Sequence, residues 1–207
     1  MDTPRSPYFA VVFLAVAALG CGSWWAGAAA AQLSPNRPIR LVVAGAAGGP
    51  MDIVARTIAD RLSVTLNQPF VIENRPGAGG NIGTETVARA VPDGHTLGIV
   101  LGTTLTVNPS VYRKLPFDPD RDFRTISLVT TSGNMLVVHP SIPVSSVTEF
   151  VAFAKASAAR KEPIAYASGG NGTPGHLVME NFRVHAGFDA IHVPYRGNAP
   201  MAVELVG

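Results

Sequence analysis

The sequence predicts a parallel α/β fold. Three observations carry that expectation: short apolar runs bounded by glycine or proline, helical periodicities between those runs, and glycine-rich turns where a run gives way to a helix.

The elements follow in order. Ile39–Val43 lies between Pro38 and the turn Ala44-Gly45-Ala46-Ala47-Gly48-Gly49-Pro50, the pattern of a buried strand entering a flexible turn. Residues 51–66 read as a helix. Val54, Ile58, Leu62 and Leu66 recur every four residues, Ala55 and Ala59 share their side, and Arg56, Asp60 and Arg61 are the exposed charges. After Pro69, residues 70–72 form a second strand, and Asn74-Arg75-Pro76-Gly77-Ala78-Gly79-Gly80 turns into a helix over 81–90. Pro92-Asp93-Gly94 leads to a third strand over 96–101. Residues 102–122 are turn-rich, with Asn108-Pro109, Leu115-Pro116 and Asp118-Pro119. Residues 126–130 and 135–139 read as two more strands, separated by Thr131-Ser132-Gly133-Asn134. That polar break divides a first lobe, 32–132, from a second, 133–207.

The second lobe repeats the grammar. Ser146-Val147-Thr148-Glu149 fits a capping box, and Val147, Phe150, Val151 and Ala154 fall on one helical face. A strand over 164–167 meets the turn Ser168-Gly169-Gly170-Asn171-Gly172. Thr173-Pro174 then suits an N-cap followed by proline at the first helical position. This helix is expected to carry Leu177, Val178 and Phe182 inward and to end before Gly187. A strand over 190–193 and the turn Tyr195-Arg196-Gly197-Asn198 lead into a last helix.

Composition narrows the function classes. The chain has 207 residues, 47% hydrophobic and 14% charged, which excludes a wholly disordered protein. Sixteen basic against fourteen acidic residues leave +2, and that balance makes no case for nucleic-acid binding. The single cysteine, Cys21, excludes a disulfide scaffold and a cysteine-rich metal site. Residues 1–31 differ from the rest: Arg5, an apolar run over 9–19, then small residues, which is the order of a secretory signal peptide cleaved after Ala30 or Ala31. The run is shorter than the ~20 residues of a membrane span, so an anchoring helix is the lesser alternative. Leu19-Gly20-Cys21 is similar to a bacterial lipoprotein box, but Ala18 and Leu19 depart from it, and lipidation at Cys21 is expected less than plain cleavage.

Ligands of open α/β sheets bind beyond the carboxyl ends of the strands, where helix N-termini present free N–H groups to anions. Glycine-rich or small polar turns fall at such positions over 45–50, 77–83, 102–106, 168–173 and 197–198. Thr103, Thr104, Ser168 and Thr173 add hydroxyls, and the set suits a carboxylate held by neutral donors; the plainer alternative is ordinary strand-to-helix turns. Asp52 either orders the first glycine turn, the favoured role, or holds a ligand-bound water or amine. His176 either lines the cleft or packs locally. Arg75 and Arg196 lie beside turns, where a solvated surface role is preferred. Enzyme signatures are missing. Ile82 breaks G-x-G-x-x-G, Tyr166 stands where a nucleophile elbow around Ser168 needs glycine, and the five histidines lack metal-ligand spacing. Neither a cofactor nor a metal is expected.

At these turns the sequence resembles a known family. Pro38-Ile39-Arg40-Leu41-Val42-Val43 and Ala47-Gly48-Gly49-Pro50-Met51-Asp52 resemble the opening of the Bug (TctC-type) solute-binding receptors of tripartite tricarboxylate transporters. Glu73-Asn74-Arg75-Pro76-Gly77-Ala78-Gly79-Gly80-Asn81-Ile82-Gly83 is close to that family's most recognisable segment. Pro92-Asp93-Gly94-His95, Asn108-Pro109, Tyr166-Ala167-Ser168, Gly170-Asn171-Gly172-Thr173, His176-Leu177 and His192-Val193-Pro194-Tyr195-Arg196-Gly197 follow in order. The resemblance implies a bilobed fold of the type II periplasmic-binding-protein kind. It also implies a periplasmic location, a small carboxylate ligand (a di- or tricarboxylate, an aromatic acid or an amino acid) and membrane permease partners. It places the ligand at Ala47, Gly48, Gly49, Asp52, Thr103, Thr104, Ser168, Gly172, Thr173 and His176, and implies no catalysis. Two departures stand out. Ala44 and Gly45 replace a proline and an aromatic residue usual in the family. Family members also continue for roughly a hundred residues past the equivalent of Gly207, so the second lobe and the closing strands of the first are expected to be incomplete. The rival readings are a secreted α/β hydrolase-like enzyme and a non-functional fragment of a binding protein.

Overall fold

The computed structural model describes residues 37–206. The expected signal segment and Cys21 lie outside these described residues. Strand β1 (Ile39–Val43) is the centre of a three-stranded sheet, flanked by β2 (Phe70–Asn74) and β3 (Thr96–Ile99) in the order β2-β1-β3. Both pairings are parallel, with Leu41 opposite Ile72 and Leu97. A central strand has neighbours on both edges and cover on both faces, so β1 reads as an almost continuous apolar run. Only Arg40 of β1 is exposed, and it pairs with Glu73 on β2 at 2.6 Å.

Helix α1 (Pro50–Leu66) starts from Gly49, carries Pro50 in its first turn and stops at Asn67, whose left-handed φ of 49° closes it. It packs on the sheet through its smallest side chains. Ala55 is 0% exposed against Leu41 and Val43, with Ala59 beside it, while Val54, Ile58 and Leu62 are half-buried and Leu66 is exposed. Small residues at the point of closest approach bring the helix near the strands, and Met51, Phe70, Ile72, Leu97 and Ile99 pack around them. After a single 3-10 turn at Ala78–Gly80 comes α2 (Asn81–Ala88). The turn-rich stretch folds into two short helices, α3 (Gly102–Thr106) and α4 (Asn108–Val111).

The second sheet pairs β4 (Ile164–Ser168) with β5 (Ala190–Pro194) in parallel. Helix α5 (Val147–Ala159) precedes it, α6 (Pro174–Ala186) connects its strands and α7 (Asn198–Val206) follows. Its core joins Phe150 and Ala154 of α5, Tyr166 of β4, Met179 of α6 and Phe188. The Phe150 and Phe182 rings each meet Phe188 edge to face, at 5.9 and 5.5 Å, a favoured aromatic arrangement. The capping box forms with a shift of one residue: Ser146 Oγ accepts from the Glu149 amide at 3.2 Å, and the Glu149 carboxylate accepts from the Ser145 amide at 2.7 Å. The described residues all fall within one compact unit.

Three expectations need correction. Residues 126–130 and 135–139 are not strands: they have no regular structure and no ladder partner among the described residues, and they are exposed apart from Val138, which is half-buried against the core of the second sheet. A β-strand exists only as one side of a hydrogen-bonded pair, so apolar content alone does not make one. Val178 points outward at 50% exposure and Met179 turns inward at 7%. The packed face of α6 runs through Met179, Phe182 and Ala186, at i, i+3 and i+7. Val147 is also exposed, so α5 packs through Phe150, Ala154 and Ser157.

Candidate functional site

The candidate site is a set of turns at the carboxyl ends of the strands. The turn after β1 is built around Asp52, which is buried at the start of α1. Its Oδ2 accepts from the Gly48 amide at 2.9 Å and from Arg56 Nε at 2.9 Å, and its Oδ1 accepts from Asn74 Nδ2 at 3.0 Å. Asn74 also donates to the Gly45 carbonyl at 3.2 Å. Hydrogen bonding from Arg56, helped by Gly48 and Asn74, holds the Asp52 carboxyl at about 2 against the opposing effect of burial. Asp52 is therefore an ionised brace for the turn, while Ala47 and Gly48 stay exposed at its tip and Gly49 lies beneath them.

The turn after β2 is clamped from α3. Thr104 is 0% exposed and its hydroxyl donates to the Gly79 carbonyl at 2.9 Å. The neighbouring Thr103 Oγ1 is also enclosed but has no hydrogen-bond partner among the described residues. Gly79 has φ +62°, and a Cβ there would overlap the Asn171 carbonyl oxygen of the turn after β4. Glycine is thus required at a point where backbone meets backbone.

The turn after β4 is braced by its own polar side chains. Ser168, 2% exposed, accepts from the Gly170 amide at 3.1 Å and shares a 2.7 Å hydrogen bond with His192 Nε2. The Thr173 hydroxyl reaches back to the Gly170 carbonyl at 2.6 Å, and His176 Nδ1 accepts from the Gly172 amide at 3.3 Å. Thr173 thus stands at the expected N-cap position with its hydroxyl directed backward into the turn. His192 is stacked between Tyr166 and His176, with centroids 4.8 and 4.2 Å away. Burial, then the neighbouring His176, lowers its pKa, partly opposed by Glu180. Tyr166 donates to Glu180 at 2.5 Å; bonds from Arg183 first, and then Tyr166, hold the Glu180 carboxyl at about 2.

The structure brings the sequence-predicted turns together. Gly170 approaches Gly79, and Gly197, in the turn after β5, approaches Ala46 so closely that a Cβ there would sit 2.9 Å from the Ala46 Cβ. The hydroxyls of Thr104, Ser168 and Thr173 face into the turns. Arg75 pairs with Glu73, which also holds Arg40. Sequence reasoning missed the supporting residues Asn74, Asn81, Asn108, Tyr112 and His192. Asn108 stood out as part of Asn108-Pro109, and His192 lay in the predicted strand 190–193, three residues before the predicted Tyr195-Arg196-Gly197-Asn198 turn, but neither spacing indicates which turn they reach. No group of three or more metal-ligating side chains occurs among the described residues.

Two parallel sheets whose strand-end turns face each other are the architecture of periplasmic binding proteins. The structure superposes on the periplasmic binding protein BugD with a TM-score of 0.71 at 33% identity, covering 83% of this chain and 56% of that one. Residues 54–207 match the family described as TctC, the tripartite tricarboxylate transporter family receptor, and the chain belongs to that family. A UPF0065 protein of Bordetella pertussis is 38% identical over 180 residues, 87% of this chain and 54% of the relative. BugT of the same organism is 33% identical over 197 residues, 95% of this chain and 58% of the relative. An R. palustris protein solved with adipate gives a TM-score of 0.76 at 38% identity, covering 83% of this chain and 56% of that one. MatC from Rhodopseudomonas palustris, solved with malate, gives 0.75 at 32%, covering 83% and 57%. The chain spans about half the length of the relatives it matches.

Proposed function

We propose that the protein captures a small carboxylate in the periplasm and presents it to the membrane permease of a tripartite tricarboxylate transporter. The observation that carries this reading is the meeting of the glycine turns after β1, β2, β4 and β5, in a chain whose relatives were solved with adipate and malate. Ala47, Gly48 and Gly49 form the first wall of the site, with Thr103, whose hydroxyl has no other partner among the described residues. Gly172 and the first turn of α6 form the second. Asp52, Ser168 and His176 occupy the amides of Gly48, Gly170 and Gly172, and Thr104 and Thr173 tie down the carbonyls of Gly79 and Gly170, so the ligand meets turns whose backbone is ordered before it binds. The two walls belong to lobes over 32–132 and 133–207, and residues 1–31 direct export. Among the described residues, no helix is long and apolar enough to cross a membrane.

A thermal-shift screen of adipate, malate, citrate, benzoate and glutamate tests the reading. A ligand at about a hundred times its Kd raises the midpoint by roughly 5–10 °C. No shift with any acid contradicts it. The Ser168–His192 bond invites comparison with a hydrolase, the one enzyme reading with a specific observation behind it. Ser168 Oγ is buried and already accepts from Gly170, and among the described residues His192 makes no hydrogen bond to a carboxylate. The expected ester-hydrolysis rate is that of buffer, unchanged by Ser168→Ala.

A further inference from the structure

We propose that Asn108 and Tyr112 are positioning residues that latch the turn at 170–172 of the second sheet onto the Gly79 turn of the first, and so set how tightly the cleft closes. The proposal rests on the binding reading above for its purpose, but the latch itself has a separate test. The two residues lie four apart, Asn108 opening α4 and Tyr112 just past its end, where the Tyr112 amide caps the helix on the Asn108 carbonyl at 2.9 Å. They therefore share one face.

Asn108 is anchored in the first sheet's turns. It is 0% exposed, and its Nδ2 donates to Asn81 Oδ1 at 2.7 Å and to the Gly79 carbonyl at 3.2 Å, which uses both amide hydrogens. Its Oδ1 is buried, has no hydrogen-bond partner among the described residues and faces Gly172, where a Cβ would overlap it. Tyr112 reaches the same turn one residue earlier. Its hydroxyl donates to the Asn171 carbonyl at 3.1 Å, and burial raises its pKa, so it stays a donor at neutral pH. Gly79 and Gly172, with φ of +62° and +79°, are the points at which any side chain would hold the two turns apart.

Neither Asn108 nor Tyr112 belongs to the apolar cluster of either sheet. Their bonds can therefore open without exposing either core, as a latch requires and a core contact does not. The Asn108 acceptor, left unpaired at a cost, marks where the turn at Gly172 is held by shape alone. Among the described residues, the Tyr112 hydroxyl supplies the directional bond of this pair across the contact.

Amide hydrogen exchange of the full chain tests the latch without a ligand. Tyr112→Phe removes one hydroxyl, and exchange over 168–173 and 77–80 is expected to rise about 2- to 10-fold, the worth of one hydrogen bond, while helices α1 and α5 exchange as before. Gly172→Ala pushes the turn off Asn108 from the other side and is expected to raise exchange in the same two turns. Unchanged exchange in both variants, or a uniform rise across α1 and α5, overturns the latch. Adding malate or adipate separates the two ideas. Failure of both acids, and of citrate, benzoate and glutamate, to protect the wild-type turns counts against carboxylate binding, whereas the difference between wild type and Tyr112→Phe decides the latch alone.

Discussion

Asp52 shows how a charged residue at the turn after β1 is spent on building that turn. Three donors converge on its buried carboxylate. Asp52→Ala removes them together and is expected to cost about 2 kcal/mol, the usual worth of hydrogen bonds to a charged group, read as a shift in the urea midpoint. Its folded pKa of about 2 lies below the ordinary 3.8. The stability it contributes is therefore complete above about 3.8 and is lost as pH falls toward 2. The wild type is expected to lose stability through that window and Asp52→Asn to lose less. Equal losses would contradict the assignment. His192 has the opposite chemistry. Burial and His176 depress its pKa from 6.5, so the fold favours the neutral ring and loses stability as pH drops below 6.5. An NMR titration of its imidazole is expected to give a midpoint below 6.5, and one above it would contradict this environment. At this scale the sequence showed which residues sit at the turns but not where their hydroxyls and carboxylates point. The direction of Thr104 or Ser168 depends on Gly79 and His192, 25 residues before the one and 24 after the other.

The elements were easier to read, because their signals are local. Pro50 and Asn67 bracket α1, Pro174 and Gly187 bracket α6, and the apolar runs at 39, 70, 96, 164 and 190 all become parallel strands. Helix α6 shows where periodicity falls short. Leu177, Val178 and Phe182 all suit an apolar stripe, and only packing against Phe150 and Tyr166 selects the face with Met179 instead. Met179→Ala is accordingly expected to cost about 2–4 kcal/mol, and Val178→Ala within about 0.5 kcal/mol of nothing. Chemical denaturation of both variants measures the contrast, and equal costs would overturn the assignment of the faces. The segments at 126–130 and 135–139 mark the other limit. Their composition suits a strand, but pairing is a property of two segments, and a single run cannot report its partner.

Across the whole molecule, two separate apolar clusters support two parallel sheets, and the contacts between the sheets fall at their strand-end turns. Outside those clusters the described chain exposes Leu128 at 79% and Met135 at 85%, with Ile126 and Val137 nearby. Exposed apolar side chains concentrated in one segment favour association. Sedimentation velocity at rising concentration is expected to show self-association that Leu128→Lys with Met135→Lys reduces; a monomer at all concentrations would contradict that. Isothermal titration calorimetry of the folded chain with malate and with adipate decides whether the turns that meet between the two sheets bind a small carboxylate. Saturable heat with one ligand per chain is expected for at least one small carboxylate. A chain that is folded by circular dichroism, yet gives no saturable heat with malate, adipate, citrate, benzoate or glutamate, would contradict it.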